Sequence, residues 1–288
     1  MTSELAPFHT AIVALHPDLA DAAFRMLPGG WHSRAVAVDE RRVFKFPQGE
    51  EAEQALRREA SILAVIRPHL AMPVPDLRLH EGTPLFSEHA IIPGDHLETA
   101  HYERLPELAR EALGKALARF YSQLHGLPRP LMETAGARPV ERWLDADAIA
   151  ARALPLLPED LHGFANDTLS GWRALAPDPH GETYGFFDGH GWNMAFDHAA
   201  GRLNGIYDFA DSGFGPLHQD FIYTNFISPD LTARVADGYE RLTGRALDRT
   251  RIHLLTGVHR LWELAVLAKA PEHHATMIAS VTAWAARQ

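Results

Sequence analysis

The 288-residue chain contains no cysteine, so it can hold no disulfide, no thiolate metal site and no cysteine nucleophile. Positive charge is also scarce. The 27 Lys and Arg residues stand against 37 Asp and Glu, a formal charge of −10, and no basic stripe marks any segment. That balance disfavours a nucleic-acid partner, whose binding draws much of its strength from cations placed on phosphates, and favours cationic small molecules. No apolar run approaches the roughly 18 residues of a membrane span. Met1–Phe24 carries Glu4, Asp18 and Asp21 but neither Lys nor Arg, and so lacks the basic start of a secretory leader. The expectation is a soluble, cytoplasmic protein with no membrane partner. The 18 histidines nowhere take the H-E-x-x-H spacing of a helical zinc site, and no internal repeat appears.

What is present is the composition of a globular enzyme-sized protein, 46% hydrophobic and 22% charged, with ample length for a core. The first 30 residues read as helix, interrupted near Pro17 and stopped by Pro28-Gly29-Gly30. Arg34–Val38 and Arg42–Phe46 read as two strands about the Asp39-Glu40-Arg41 turn. Apolar residues at Ala52, Ala55, Leu56, Ile62, Leu63 and Ile66 give Glu50–Ile66 helical periodicity. Asp76–His80 and Leu85–Ile92 are strand candidates. Glu103–Gly126 reads as one long helix and Val140–Leu175 as further helices. Tyr184–Phe209 reads as a second β section, and the chain from His218 onward as helix. This layout predicts an α+β fold of two lobes: residues 1–92, a small sheet-bearing lobe ending in a connecting strand, and residues 93–288, a larger, mainly helical lobe with a hairpin set into it.

Two constellations carry chemistry. Glu59 interrupts the apolar stripe of its helix, and an unpaired buried carboxylate costs several kcal/mol, roughly 3–5. Lys45, in an apolar strand just ahead, is the candidate partner; the alternative puts Glu59 at the solvent edge of the stripe and Lys45 on an exposed strand. The second constellation is Asp188-Gly189-His190-Gly191-Trp192-Asn193, followed across a turn by Asp208-Phe209. If that turn closes a hairpin, Asn193 and Asp208 meet at its open end, where an amide oxygen and a carboxylate suit Mg²⁺. Asp188 would stand beside the cation, able to accept a hydroxyl proton. Taken singly, Asp and Asn are also ordinary turn formers.

From Pro28 to Phe221 the sequence resembles the aminoglycoside phosphotransferase family of protein-kinase-like small-molecule phosphotransferases. Asp188 with Asn193 is similar to the catalytic-loop pattern of that family, and Ile206-Tyr207-Asp208-Phe209 to its metal-binding segment. Lys45 and Glu59 fall at its small-lobe ion pair, Gly30-Trp31-His32-Ser33 at its nucleotide loop, and Ile92-Pro93-Gly94 after its hinge. Leu124-His125 resembles the end of its long helix, and His190 the second histidine of its catalytic loop. The resemblance implies a two-lobed kinase-like fold and transfer of the γ-phosphoryl group of ATP or GTP, with Mg²⁺, to a hydroxyl of a small, cationic acceptor such as an aminoglycoside. Macrolide, choline or homoserine phosphorylation on the same scaffold is the alternative, or a nucleotide-binding pseudoenzyme. Lys45, held by Glu59, would contact the phosphates; Gly30 and Ser33 would help cover them; Ser87–Ile91 would hold the base; Asn193 and Asp208 would bind Mg²⁺; and Asp188 would be the catalytic residue. Asp220 is expected to be a structural carboxylate near this loop, and Asp211 and Glu263 are candidates to face a cationic acceptor. The chain departs from the family in having Phe186 where a histidine usually stands, two residues before Asp188.

Overall fold

The structure, a computed structural model, describes residues 4–27 and 33–286; the Pro28-Gly29-Gly30 stop and Gly30 of the nucleotide loop lie outside them. α1 (Ala6–Leu15) leads through a short 3₁₀ turn to β1 (Phe24–Met26), β2 (Ser33–Val38) and β3 (Arg42–Pro47), then α2 (Glu50–Ile66), β4 (Arg78–His80) and β5 (Phe86–Ala90). Among the described residues these strands form one five-stranded antiparallel sheet in the order β1-β2-β3-β5-β4. The helix expected to fill the first 30 residues gives way at Phe24–Met26, which pair with Val36–Val38 instead. A strand of three residues shows no alternation to read, and its conformation comes from its partner.

The rest is mainly helical: α3 (Thr99–Arg104), α4 (Glu107–His125), α5 (Arg129–Thr134), α6 (Ala146–Ala153) and α7 (His162–Ala174). Two small sheets follow, β6 (Glu182–Gly185) with β9 (Gly213–Pro216) and β7 (Met194–Asp197) with β8 (Arg202–Ile206), before α8 (Pro229–Thr243), α9 (Arg249–Val266) and α10 (Pro271–Ala285). The single helix expected over Glu103–Gly126 is two. Pro106 cannot donate a backbone N–H, and it forces Leu105 to the extended ψ of 138° that residues before proline adopt.

Among the described residues, three apolar cores hold the fold together. α1 lays Ile12 on one face of the five-stranded sheet against Val36, Phe44, Phe46 and Phe86. α2 turns Ile62, Leu63 and Ile66 into the largest core, which they share with Leu117, Phe120 and Tyr121 of α4 and with Val235 and Tyr239 of α8. α4 and α8 cross closely because each has a glycine at the contact: a Cβ on Gly114 would lie 2.7 Å from that of Arg234, and one on Gly238 would lie 2.6 Å from that of Ala118. α6, α7, α9 and α10 enclose the third core around Ile149, Leu169, Leu261 and Val281.

Candidate active site

The site is built from a strand, a helix and two loops. Strand alternation sends Phe44 and Phe46 to the α1 face of the sheet and Lys45 to the other, opposite Ala35 and Ser87. Ser33 lies two positions from Ala35 on that same face, paired with Pro47. Across it stands α2 with Glu59, only 3% exposed. The Lys45 ammonium sits 3.7 Å from Glu59 Oε1 and 3.2 Å from Asp208 Oδ1. Glu59 Oε1 also accepts the backbone N–H of Phe209 at 3.1 Å. Glu59 therefore faces inward and not solvent, and Lys45 bridges two carboxylates. Burial opposes the charge on Lys45, but the attraction of Glu59 and Asp208 outweighs it and holds the ammonium above its ordinary pKa. Burial, aided by the neighbouring charge of Asp208, pushes the Glu59 carboxyl up despite Lys45.

The β7–β8 hairpin pairs Met194 with Ile206, and Tyr207 N–H donates to the Asn193 carbonyl at 3.0 Å. Asn193 and Asp208 thus lie at one open end of the hairpin. Asp208 takes a left-handed φ of 67°, a conformation that Asp tolerates better than most residues. The Asn193 amide donates to the Asp188 carbonyl at 3.0 Å and to its carboxylate Oδ2 at 2.6 Å, which leaves the amide oxygen as the atom for a cation. His190 Nε2 lies 2.9 Å from the other Asp188 oxygen. Burial disfavours the imidazolium of His190, but the hydrogen bond and charge of Asp188 outweigh this and raise its pKa. The Asp208 carboxylate and the Asn193 amide oxygen are hard oxygen donors at one end of the hairpin, and these residues fit a Mg²⁺ ion.

Beneath the loop is a support that sequence reasoning placed only in outline. Asp220, fully buried, accepts the backbone N–H of Phe186 at 2.9 Å and of Phe187 at 2.5 Å. It pairs in turn with His125 Nε2 at 3.0 Å, and His125 Nδ1 reaches the Tyr239 hydroxyl at 3.0 Å. These amides hold Phe187 at a φ of 54°, unusual for a bulky residue. Phe186 is completely buried, its ring 4.7 Å from that of Phe209 and 5.8 Å from that of Phe120. On the far side, burial raises the Tyr223 hydroxyl pKa, as do the charges of Asp188, Asp220, Glu263 and Asp211. Tyr223 and the aromatic group about His259, with Trp143, Phe226 and Trp262 at ring distances of 5.2–5.5 Å, left no sequence signal, because they come from three separate stretches.

Comparison with known proteins places the fold and the family. The fold is similar to the GDP complex of wild-type aminoglycoside 2'-phosphotransferase-IIIa, with a TM-score of 0.84 and 18% identity over 99% of both chains. It is also similar to macrolide 2'-phosphotransferase type I, at a TM-score of 0.70 and 17% identity over 98% of both. Macrolide 2'-phosphotransferase MphH from Brachybacterium faecium follows at 0.68 and 16%, over 94% of this chain and 97% of that one. No curated protein sequence matches the chain significantly. The fold is thus the two-lobed protein-kinase-like one, and residues 23–253 match the sequence profile of the family described as APH, phosphotransferase enzyme family. The chain belongs to that phosphotransferase family.

Proposed function

We propose that this protein transfers the γ-phosphoryl group of ATP or GTP to a hydroxyl of a small, cationic acceptor, with an aminoglycoside-type molecule first among the candidates. The observation that carries the reading is the convergence of Lys45, Glu59 and Asp208 at the open end of the hairpin that also holds Asn193 and Asp188. Lys45 would bind the phosphates, oriented by Glu59, and the backbone near Gly30 and Ser33 would help cover them. Asp208 and Asn193 would hold Mg²⁺, which when bound neutralises phosphate oxygens and fixes their orientation. Asp188 would receive the acceptor's hydroxyl proton as that oxygen bonds to the γ-phosphorus and the nucleoside diphosphate leaves. In this reading residues 1–92 form the nucleotide lobe, with Ser87–Ile91 along the base, and residues 93–288 form the acceptor lobe.

The cationic acceptor is supported by the carboxylates around Tyr223. Burial opposes the charge on Glu263, but His259 and Arg260 overcome it and hold the carboxyl below its ordinary pKa, so Glu263 is anionic at neutral pH. The aromatic group around His259 favours a second reading, in which the acceptor is larger and more apolar, as a macrolide is. A nucleotide-consumption screen with ATP and GTP against hydroxylated cationic antibiotics, macrolides and amino alcohols separates the two. Turnover with a cationic acceptor is expected. Nucleotide binding without γ-phosphate transfer to any of them would favour a pseudoenzyme.

A further inference from the structure

On the sheet face opposite Lys45, three side chains from distant parts of the sequence converge. His16 follows α1, His80 ends β4 and Glu88 lies in β5. The register pairs His80 with Phe86 and Arg78 with Glu88, which makes His80 and Glu88 diagonal neighbours on one face. Glu88 is also opposite Phe44, against whose ring His16 stands edge-on at 5.8 Å. His16 Nε2 is 2.8 Å from Glu88 Oε2, and His80 Nε2 is 3.5 Å from Glu88 Oε1. One ligand atom from each residue can be chosen so that all three lie within 4.8 Å of one another.

The side chains are mostly enclosed, 19%, 23% and 12% exposed for His16, His80 and Glu88. Both Nε2 atoms and Glu88 Oε2 are shut off from solvent without a well-aligned hydrogen bond. Buried polar atoms normally find partners, and here all three belong to one cluster. In a tetrahedral site with bonds near 2.0–2.1 Å, ligand atoms stand about 3.3 Å apart. The separations of 2.8 Å from His16 to one Glu88 oxygen and 3.5 Å from His80 to the other bracket that spacing, so Glu88 can meet the two imidazoles through its two oxygens. Two imidazoles with one carboxylate form a donor set suited to Zn²⁺, whereas Mg²⁺ and Ca²⁺ take oxygen ligands.

We propose that His16, His80 and Glu88 bind one divalent transition-metal ion, zinc by preference, which fastens the N-terminal helix to the back of the sheet. The site faces away from the cleft, with Glu88 on the strand that carries Ser87 to the other face, and it stands or falls independently of the phosphotransferase reading.

The test is a Zn²⁺ titration of the chelator-stripped full chain, without nucleotide or Mg²⁺, by calorimetry and thermal shift. One saturable zinc per chain and a raised Tm are expected, together with affinity that falls in acid, because imidazole coordinates only when neutral. His80→Ala and His16→Ala should weaken zinc binding at least about tenfold, while stabilisation by nucleotide with Mg²⁺ stays as in the parent. Absence of saturable binding, or equal zinc affinity in both variants, overturns the proposal. If either variant fails to fold, Co²⁺ added to the parent decides: visible bands of a low-coordinate nitrogen and oxygen site are expected, and their absence rejects the site.

Discussion

Asp188 stands between two partners, Asn193 on one oxygen and His190 on the other, so its chemistry can be probed one atom at a time. Asp188→Asn keeps the shape but removes the proton acceptor. It should retain nucleotide affinity and lower turnover about 10²–10⁴-fold, read by single-turnover kinetics; a parent-like rate would take Asp188 out of the mechanism. The His190 ion pair sets a pH dependence. Because Asp188 raises the folded-state pKa of His190, the stability the pair gives is fully present below the ordinary histidine value of about 6.5 and is lost as pH rises through the raised value. The difference in Tm between the parent and His190→Gln should therefore be wider at about pH 6 than at about pH 9. At Phe186 the aromatic ring fills apolar space between Phe209 and Phe120. The loop amides of Phe186 and Phe187 are already held by Asp220. Phe186→His should accordingly change turnover by less than about tenfold.

At the scale of elements, periodic segments were the most readable. Glu50–Ile66 is the same helix in sequence and structure, because its apolar spacing and the charge within it describe the face it buries. The Lys45–Glu59 pair was legible for the same reason: a carboxylate amid apolar neighbours demands a cation. β1 was not, nor was the break at Pro106, where long flanking periodicity masked a single proline. The hydrogen bonds that set the loops about Asp188 and Asp208 were equally hidden, since Asp220 and Glu59 bind backbone N–H groups and an amide donor leaves no trace in residue type. The loop's glycines show what that costs. A Cβ on Gly191 would run into the Leu97 carbonyl, whose own N–H donates to the Gly191 carbonyl at 3.0 Å. Gly191→Ala should destabilise the protein by about 1–3 kcal/mol, measured by urea unfolding, with a larger loss of activity than of nucleotide binding.

At the scale of the whole molecule, charge and packing act across the cleft. The formal charge of −10 and the carboxylates around Tyr223 should draw in a cationic acceptor, an attraction that added salt screens. The acceptor KM should rise with ionic strength, while a flat response would indicate an apolar acceptor. Among the described residues no helix is long and apolar enough to cross a membrane. The sheet and the helical part share one core through Ile62, Leu63 and Ile66, and the polar counterpart of that continuity is Glu59, which grips Lys45 and the Phe209 N–H together. That single amide proton is consequently a spectroscopic gauge of the cleft. Its proton–nitrogen resonance in nitrogen-15-enriched protein and its rate of exchange with deuterium report whether the two sides are in register, so opening and closing can be followed at one residue, with no substrate identified.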